Sequence, residues 1–348
     1  VLSRRTPPVN FKPTDQKFFE HELVKEIPNH ELTVYRDKAI ITPDGVVIKH
    51  GRIETASLYS DQHNAFLNGA YRVFYNCAGF FTQPTNGRHL LAFDAWSAGY
   101  FHWMTEFIPR LFKSKHVILE STVILPSVNN SIWNKASAFR SLYRKGQTLP
   151  QNGYSTESLE AFNLRSTYKH TARIPLVTKD LYFSSHLAPS GNYNDQVMRE
   201  LREFYFGFYE IPKEDPHRLV YVSRNLATRR HIQNENEVIE NLHLLGFEIF
   251  SLETLSFREQ VILLSQTKFL IGQHGAGLTN LLFMKNSTFV LELKTEGDSQ
   301  NLCYFSLASA MNVNYLFQFC AGDGRTVQDS DITVDIDLLN QNLKMVLS

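Results

Sequence analysis

From Arg218 onward, apolar runs of strand length alternate with segments whose apolar residues recur at the 3.6-residue period, and this alternation restricts the chain to folds built on a parallel sheet. Strands are expected at Arg218 to Ser223, Phe247 to Phe250, Lys268 to Ile271, Thr288 to Leu293 and Asn314 to Phe317. Between them lie expected helices at Glu235 to Leu245, Phe257 to Gln266, Gly277 to Met284 and Asn301 to Met311. Repeated βα units with short connections place helices on both faces of the sheet, the doubly wound α/β arrangement. A last periodic stretch, Ile332 to Leu347, follows the loop Ala321-Gly322-Asp323-Gly324.

The first part of the chain, up to about Tyr209, is less regular. Short β-rich runs such as Leu32 to Ile41 and Val117 to Leu125 are mixed with helical stretches and Pro/Gly/Asn-rich breaks. The segment Glu210 to Pro216 holds Pro212, Pro216 and four charges and reads as a linker. The expected division is therefore a domain over 1–209, a Rossmann-like domain over 217–325, and a C-terminal helix within 326–348 that packs back across the junction. A chain of 348 residues is long enough for about two domains of ordinary size. No repeat and no low-complexity segment interrupts it.

Thirty-five basic residues balance thirty-five acidic ones, so no global field recruits nucleic acid or anionic lipid. Any anion site must be local. Cys77, Cys303 and Cys320 are too few and too far apart for a disulfide framework or a zinc site, which favours a reducing compartment. Against that, Asn129-Asn130-Ser131 and Asn286-Ser287-Thr288 fit the glycosylation acceptor pattern. No run approaches the ~18 apolar residues of a membrane span.

Residues Ile271 to Asn280 read IGQHGAGLTN, directly after an expected strand and before an expected helix, where an open α/β sheet forms its ligand crevice. Here Gly275, Ala276 and Gly277 let backbone approach a ligand. The following helix, with Asn280 in its first turn, offers unpaired N–H groups to a diphosphate, and His274 is placed to donate to the same oxygens. Twenty positions after Gly272, the next strand ends in Glu292, an acid placed to accept from ribose hydroxyls. The plainer alternative is a tight strand-to-helix turn with a solvated acid. A dinucleotide fingerprint fits poorly, because the spacing is G-x-x-G-x-G on the third strand of the domain, and no phosphate-binding G-x-x-x-x-G-K-[ST] loop exists anywhere in the chain.

Residues Arg218 to Arg230 read RLVYVSRNLATRR, so Ser223 and Arg224 leave the carboxyl end of the domain's first strand facing the same crevice. A guanidinium there can grip a diphosphate with two parallel hydrogen bonds, and Arg229 and Arg230 follow on the loop. In the first half, Ala98 to Leu111 reads AGYFHWMTEFIPRL. His102 and Glu106 share a helical face and can poise a general base, Trp103, Phe107 and Leu111 form the buried face, and Pro109 ends or kinks the helix. A surface ion pair is the plain alternative. Asp329-Ser330-Asp331 and Asp335-Ile336-Asp337 have a spacing that can hold a divalent cation, but they stand at a helix start, where capping acids are expected anyway. No metal site is expected, and the thirteen histidines show no zinc pairing.

Taken together, Phe101-His102-Trp103 through Glu106 to Pro109-Arg110-Leu111, then Val222-Ser223-Arg224, then His274-Gly275-Ala276-Gly277-Leu278-Thr279-Asn280, then Glu292, resemble glycosyltransferase family 61. The likeness is strongest from about Arg218 to Phe317, and Val1 to about Ala95 carries no matching motif. The resemblance implies a GT-B architecture, two Rossmann-like domains facing a cleft, the first on the acceptor side and the second binding a nucleotide-sugar donor. It implies inverting transfer to a hydroxyl of a glycan, glycolipid or glycoprotein, with no cofactor and no obligatory metal. Glu106 ranks narrowly ahead of His102 as the base, while Ser223, Arg224, Arg229, His274, Gly275, Ala276, Gly277, Asn280 and Glu292 hold the donor. An NAD(P)-dependent oxidoreductase and a non-catalytic nucleotide- or glycan-binding protein are the competing readings. The expected compartment is the cytoplasm, at a membrane face, or the Golgi or ER lumen if an anchor was trimmed before Val1; peripheral membrane association and a homodimer are both compatible with this reading.

Overall fold

The computed structural model describes residues 2–58, 82–94, 96–97, 99–126, 153–164, 168–170, 175–187, 191–298, 301–327 and 329–347. Cys77 and the acceptor pattern at Asn129 lie outside them. The chain forms two compact units, Val1–Ile27 with Ser190–Ser348, and Pro28–Pro189.

The first of these holds the regular half of the sequence. Its strands are β1 (Arg218–Val222), β2 (Glu248–Phe250), β3 (Thr267–Gln273), β4 (Phe289–Thr295), β5 (Asn314–Gly322) and β6 (Ile332–Thr333). They form one six-stranded sheet in the order β2-β1-β3-β4-β5-β6. The first five are parallel, and β6 runs antiparallel to β5. Its helices are α1 (Asp195–Phe208), α2 (Glu235–Leu244), α3 (Phe257–Ser265), α4 (Cys303–Ala310) and α5 (Ile336–Leu347).

Local chemistry sets these boundaries. Asn194 caps α1 by accepting from Val197 N at 3.1 Å, and Ser256 and Glu259 form a reciprocal capping box on α3. Gly246 takes φ +83° after α2, so that its own N–H and that of Phe247 close on the carbonyls of His243 and Leu242. Tyr221, Ile271, Leu291 and Leu316 make one face of the sheet, buried against Val238 and Leu242 of α2 and Leu339 and Leu343 of α5. On the opposite face Tyr315 meets Phe305 of α4 edge to face at 5.4 Å between ring centres. Both faces are thus covered, which is why the strands are nearly continuous apolar runs.

Three expectations about organisation are corrected. The junction does not fall at Glu210 to Pro216. That segment joins α1 to β1 inside one unit, because Tyr205 of α1 packs edge to face on Phe257 and Phe283, and buried Arg202 donates to the Met284 carbonyl at 2.7 Å and to Asn286 Oδ1 at 3.0 Å. Proline and charge marked exposed chain, not a boundary. The N-terminal residues belong here too, since the Arg5 guanidinium reaches Asp195 at 2.5 Å and the Tyr193 carbonyl at 2.8 Å. Finally, α5 lies in the same unit as the sheet and packs on it beside α2.

The unit Pro28–Pro189 is α/β, and its described strands form two sheets. One five-stranded sheet runs Tyr168–His170, Thr122–Leu125, His89–Leu91, Leu181–Ser184 and Leu32–Tyr35, the last antiparallel to an otherwise parallel set. A second holds Arg52–Ile53, Val47–Lys49, Ala39–Ile41, Leu176–Thr178 and Gln83–Pro84, mostly antiparallel. The connections from Ile41 to Val47 and from Lys49 to Arg52 are too short for a crossover helix and therefore reverse the chain. The run Leu32 to Ile41 is divided between the two sheets, and Val117 and Ile118 are helical, buried in Lys115–Ile118, with the strand beginning at Thr122.

Arg202 joins α1 to the turn after Phe283 through charge-assisted bonds to the Met284 carbonyl and Asn286. Arg202→Met should lower the unfolding free energy of the full chain by about 2–3 kcal/mol, read from the urea midpoint at unchanged slope.

Candidate functional site

Strand order decides where a ligand crevice lies. The neighbours of β1 are β2 on one side and β3 on the other, so the connections after β1 and β3 leave in opposite directions and open a crevice at the carboxyl ends of these two strands. Arg224 follows β1, and His274 and Gly275 follow β3.

Arg224 is tied down by its own loop: Nε donates to the Arg230 carbonyl at 3.0 Å and Nη2 to the Arg229 carbonyl at 3.1 Å. Its guanidinium lies against the bare α-carbon of Gly275, where an added Cβ would collide with Nη1 and sit 3.0 Å from Cζ. Gly275 is extended at φ 163°, so close approach and not backbone conformation demands glycine there. Arg230 is half-buried at φ +60°, and its Nε is buried with no hydrogen-bond partner among the described residues. Burial lowers the pKa of both Arg224 and Arg230; the charge of Arg230 lowers Arg224 further, and that of Arg229 lowers Arg230. Half-buried cations that repel one another make a crevice that favours an anion.

The other expected donor contacts are distributed differently. Arg229 is exposed and turned to Asp329 at 2.7 Å, so Arg230 takes the inward place instead. Ala276 is exposed at the start of Ala276–Phe283, a 3-10 helix where an α-helix was expected. Gly277 is packed, its missing side chain leaving room for Val222 Cγ1 at 3.1 Å. Asn280 is buried and donates to the Gly277 carbonyl at 3.2 Å, and buried Ser223 accepts from Asn225 N at 3.2 Å. These three hold the loops in shape.

Glu292 corrects the ribose assignment. It is fully buried, with Oε1 accepting from His274 Nδ1 and Oε2 from the Tyr315 hydroxyl at 2.5 Å, and Lys294 Nζ stands 3.8 Å away. Burial by itself would raise its pKa, but the Lys294 and His274 charges and both hydrogen bonds outweigh that and hold the carboxyl below its ordinary range. Strand alternation points Glu292 inward, so it orients His274 and does not meet a sugar. Asn301 Nδ2 lies 3.0 Å from His274 Nε2, so both ring nitrogens of His274 have a partner in the protein. With both nitrogens engaged, His274 does not offer the expected N–H to a phosphate in this arrangement.

In the unit Pro28–Pro189 the helix continues through Pro109. Tyr100–His102 is α-helical, Trp103–Phe107 is a π turn with Ile108 N bonded to the Trp103 carbonyl, and Ile108–Lys113 is α-helical again. A π turn widens the helix upstream of the proline ring and accommodates it; such turns recur at functional sites. Trp103, Phe107 and Leu111 are buried as expected. His102 Nδ1 lies 2.9 Å from Glu106 Oε1, with the His102 side chain 23% exposed and that of Glu106 2%. Burial pushes Glu106 up to about 7, against the lowering effect of His102. Burial would lower His102, but the Glu106 hydrogen bond and the charges of Glu106 and Asp94 raise it. The two groups therefore exchange a proton near neutrality as a pair.

Beneath this dyad lies an ion pair that sequence patterns do not reveal. Arg110 Nη1 meets Asp94 Oδ2 at 3.3 Å, both side chains 1% exposed, and the same guanidinium donates to the Ser184 carbonyl through Nε at 2.9 Å. His186 Nδ1 stands 3.7 Å from Asp94. Nothing local in Phe93-Asp94-Ala95 announces this role; only the fold brings Asp94 and Arg110 together. Arg230, by contrast, was legible as one of an adjacent pair. Among the described residues no cluster of three His, Cys, Asp or Glu could hold a metal. Asp331 is engaged by Arg325 and His231, and Asp335 caps α5 through Leu338 N at 3.0 Å.

These features define an α/β protein whose sheet carries a cationic crevice at its switch point. A family model described as Glycosyltransferase 61 matches residues 100–291, more than half of the chain, and the chain belongs to that family. It is similar to the EGF domain-specific O-linked N-acetylglucosamine transferase of Drosophila melanogaster, 32% identical over 150 residues, which are 41% of this chain and 28% of that protein. The proteins of the same name from Bos taurus and Pan troglodytes are each 30% identical over 152 residues, with the same shares. The match spans only about 28% of the length of these relatives.

Gly275→Ala should displace the Arg224 guanidinium from the Arg229 and Arg230 carbonyls and leave the core intact, because the atoms that must move belong to the end of one long side chain and not to backbone. Pyrophosphate affinity is expected to fall about tenfold or more at unchanged circular dichroism, measured by calorimetric titration.

Proposed function

We propose that this chain is an inverting glycosyltransferase of GT-B type that moves a sugar from a nucleotide-sugar donor to an acceptor hydroxyl without an obligatory metal. The observation that carries the reading is the half-buried Arg224 guanidinium against the bare α-carbon of Gly275 at the switch point of a parallel sheet, with half-buried Arg230 near enough for its charge to lower Arg224. A departing nucleoside diphosphate needs fixed positive charge as its negative charge develops, and this cluster supplies it together with the backbone N–H groups at Ala276. The names of the relatives make an N-acetylglucosamine donor and a protein acceptor carrying an EGF domain the first pair to try; other glycoproteins, glycans and glycolipids follow.

In this mechanism the acceptor oxygen attacks the anomeric carbon from the side opposite the diphosphate. The new carbon–oxygen bond forms as the bond to the diphosphate breaks, and the hydroxyl proton passes to the His102–Glu106 dyad. Exposure favours His102 as the group that meets the acceptor, with the buried Glu106 carboxylate behind it, which reverses the order expected from sequence. His274, fixed by Glu292 and Asn301, shapes the donor loop.

A thermal-shift screen of the full chain against UDP, GDP and CMP compounds, with and without EDTA, tests the donor assignment. A ligand at 100 times its dissociation constant should stabilise by about 2.7 kcal/mol, and the shift should survive EDTA. A shift with NAD or NADP and with no nucleoside diphosphate would overturn it. Arg224→Ala should lower turnover sharply without unfolding the chain.

The dyad predicts the pH profile. A base must be unprotonated to accept the acceptor proton, and Glu106 is raised to about 7, so the rate should climb as pH rises through about 7. Glu106→Gln should move that limb to lower pH, since the carboxylate raises His102, and lower kcat by roughly 10²-fold or more, with the donor thermal shift retained.

A further inference from the structure

The acceptor pattern Asn286-Ser287-Thr288 falls within the described residues, in the turn between Ala276–Phe283 and β4. This turn is fastened from its inner side. Ser287, at φ +61°, donates its N–H to the Asn312 carbonyl at 2.8 Å, and the buried Thr288 hydroxyl donates to the Lys285 carbonyl at 2.6 Å. Asn286 and Ser287 are exposed.

Among the described residues the Asn286 side chain bonds to Arg202 alone, its Oδ1 accepting from Nη2 at 3.0 Å. A guanidinium only donates, so the amide oxygen must face it and the amide nitrogen must face away. Aspartate at this position would serve Arg202 better, because a carboxylate would pair with a charge that otherwise meets only Glu203, whose side chain is 63% exposed. What asparagine holds in place of that charge is an outward amide nitrogen.

The place of the turn in the sheet adds a second, independent condition. Residue 286 stands just ahead of β4, at the amino ends of the parallel strands, whereas Arg224 and Gly275 stand at the carboxyl ends. At ~3.3 Å per residue, a strand the length of β4 separates the two ends by about 20 Å. A bulky group added at 286 therefore begins on the far side of the sheet from the crevice.

We propose that Asn286 is the acceptor of an N-linked glycan. A bond forms between Nδ2 and the anomeric carbon of an oligosaccharide carried on a polyprenyl diphosphate, as the bond from that carbon to the diphosphate oxygen breaks. The lipid diphosphate leaves with the electron pair, and the amide gives up one proton. The reaction belongs to the oligosaccharyltransferase of a secretory lumen, one of the compartments compatible with the sequence. Because a glycan is bulky and must stand at the surface, the folded chain has to leave Nδ2 open to solvent, and this turn does so with its backbone held inward and its amide oxygen on Arg202. The assignment does not rest on the transferase reading.

The test is to produce the full chain behind a cleavable secretory signal in cultured eukaryotic cells, recover it from the medium or from sealed microsomes, and treat it with peptide N-glycosidase in heavy-oxygen water. The peptide holding residue 286 should then carry labelled aspartate in most molecules, read separately from the peptide holding Asn129. Asn286→Asp keeps an oxygen for Arg202, and Thr288→Val keeps Asn286 but removes the hydroxyl that the acceptor pattern requires. Each should lose the glycan at 286, and if one does not fold the other decides. Pyrophosphate should bind the glycosylated and the enzymatically deglycosylated chain with dissociation constants within about twofold of each other. Unlabelled Asn286 in chain recovered from the lumen would overturn the proposal, whatever the state of Asn129. A pyrophosphate affinity about tenfold or more weaker with the glycan in place would overturn its position away from the crevice.

Discussion

The close contact between Arg224 and Gly275 depends on β1 and β3 being neighbours in the sheet, with β2 on the far side of β1. That order brings two loops, far apart in sequence, to the same end of two adjacent strands. Once they meet, the space above Gly275 is filled by a guanidinium and not by a side chain of the loop's own. The Arg229 and Arg230 carbonyls then hold Arg224 from behind, and Arg230 is turned inward by the same turn. A cationic crevice follows from strand order and one missing methyl group.

Buried charge recurs in both units, and in each case the desolvation cost is offset by several partners. Glu292 is satisfied by His274, Tyr315 and Lys294, and Lys294 in turn reaches the Asn301 carbonyl at 2.5 Å and Asp298 at 3.4 Å. Asp94 is met by Arg110, by the Trp96 N–H at 2.9 Å and by Ser97. Isolated, such groups would neutralise or would not be buried. Networked, they fix the orientation of the side chain nearest the surface, His274 in one unit and His102 in the other. The same low-dielectric setting that makes them costly also raises Glu106 toward neutrality, where a carboxyl can exchange protons at working pH.

Much of the architecture was legible in the sequence of the second half. Strand and helix positions from Arg218 onward agree with most of the expected runs to within a few residues, because each apolar pattern matched its own element's period and short connections left a parallel sheet as the solution; the exceptions are β5, which runs on to Gly322, and Ile332–Thr333, which is a strand and not the start of the last helix. The first half was not legible in the same way. Its strands are only two to four residues long, too short to show alternation, and Leu32 to Ile41 reads as one run though a bend at Arg36 to Lys38 divides it between two sheets.

By itself the sequence determined the βα succession, the placement of the glycine loop after a strand, the basic loop after the first strand, and the pairing of His102 with Glu106 by helical spacing. Those are local properties, fixed by period and by neighbours within one turn. Only the tertiary structure decided which arginine of the adjacent pair faces inward, that Glu292 serves His274 and not a ribose, and that α1 and the N-terminal residues join the later unit. Each of these depends on which distant segment occupies the far side of a strand or the space beside a loop, and burial and hydrogen bonding across such distances leave no trace in local composition.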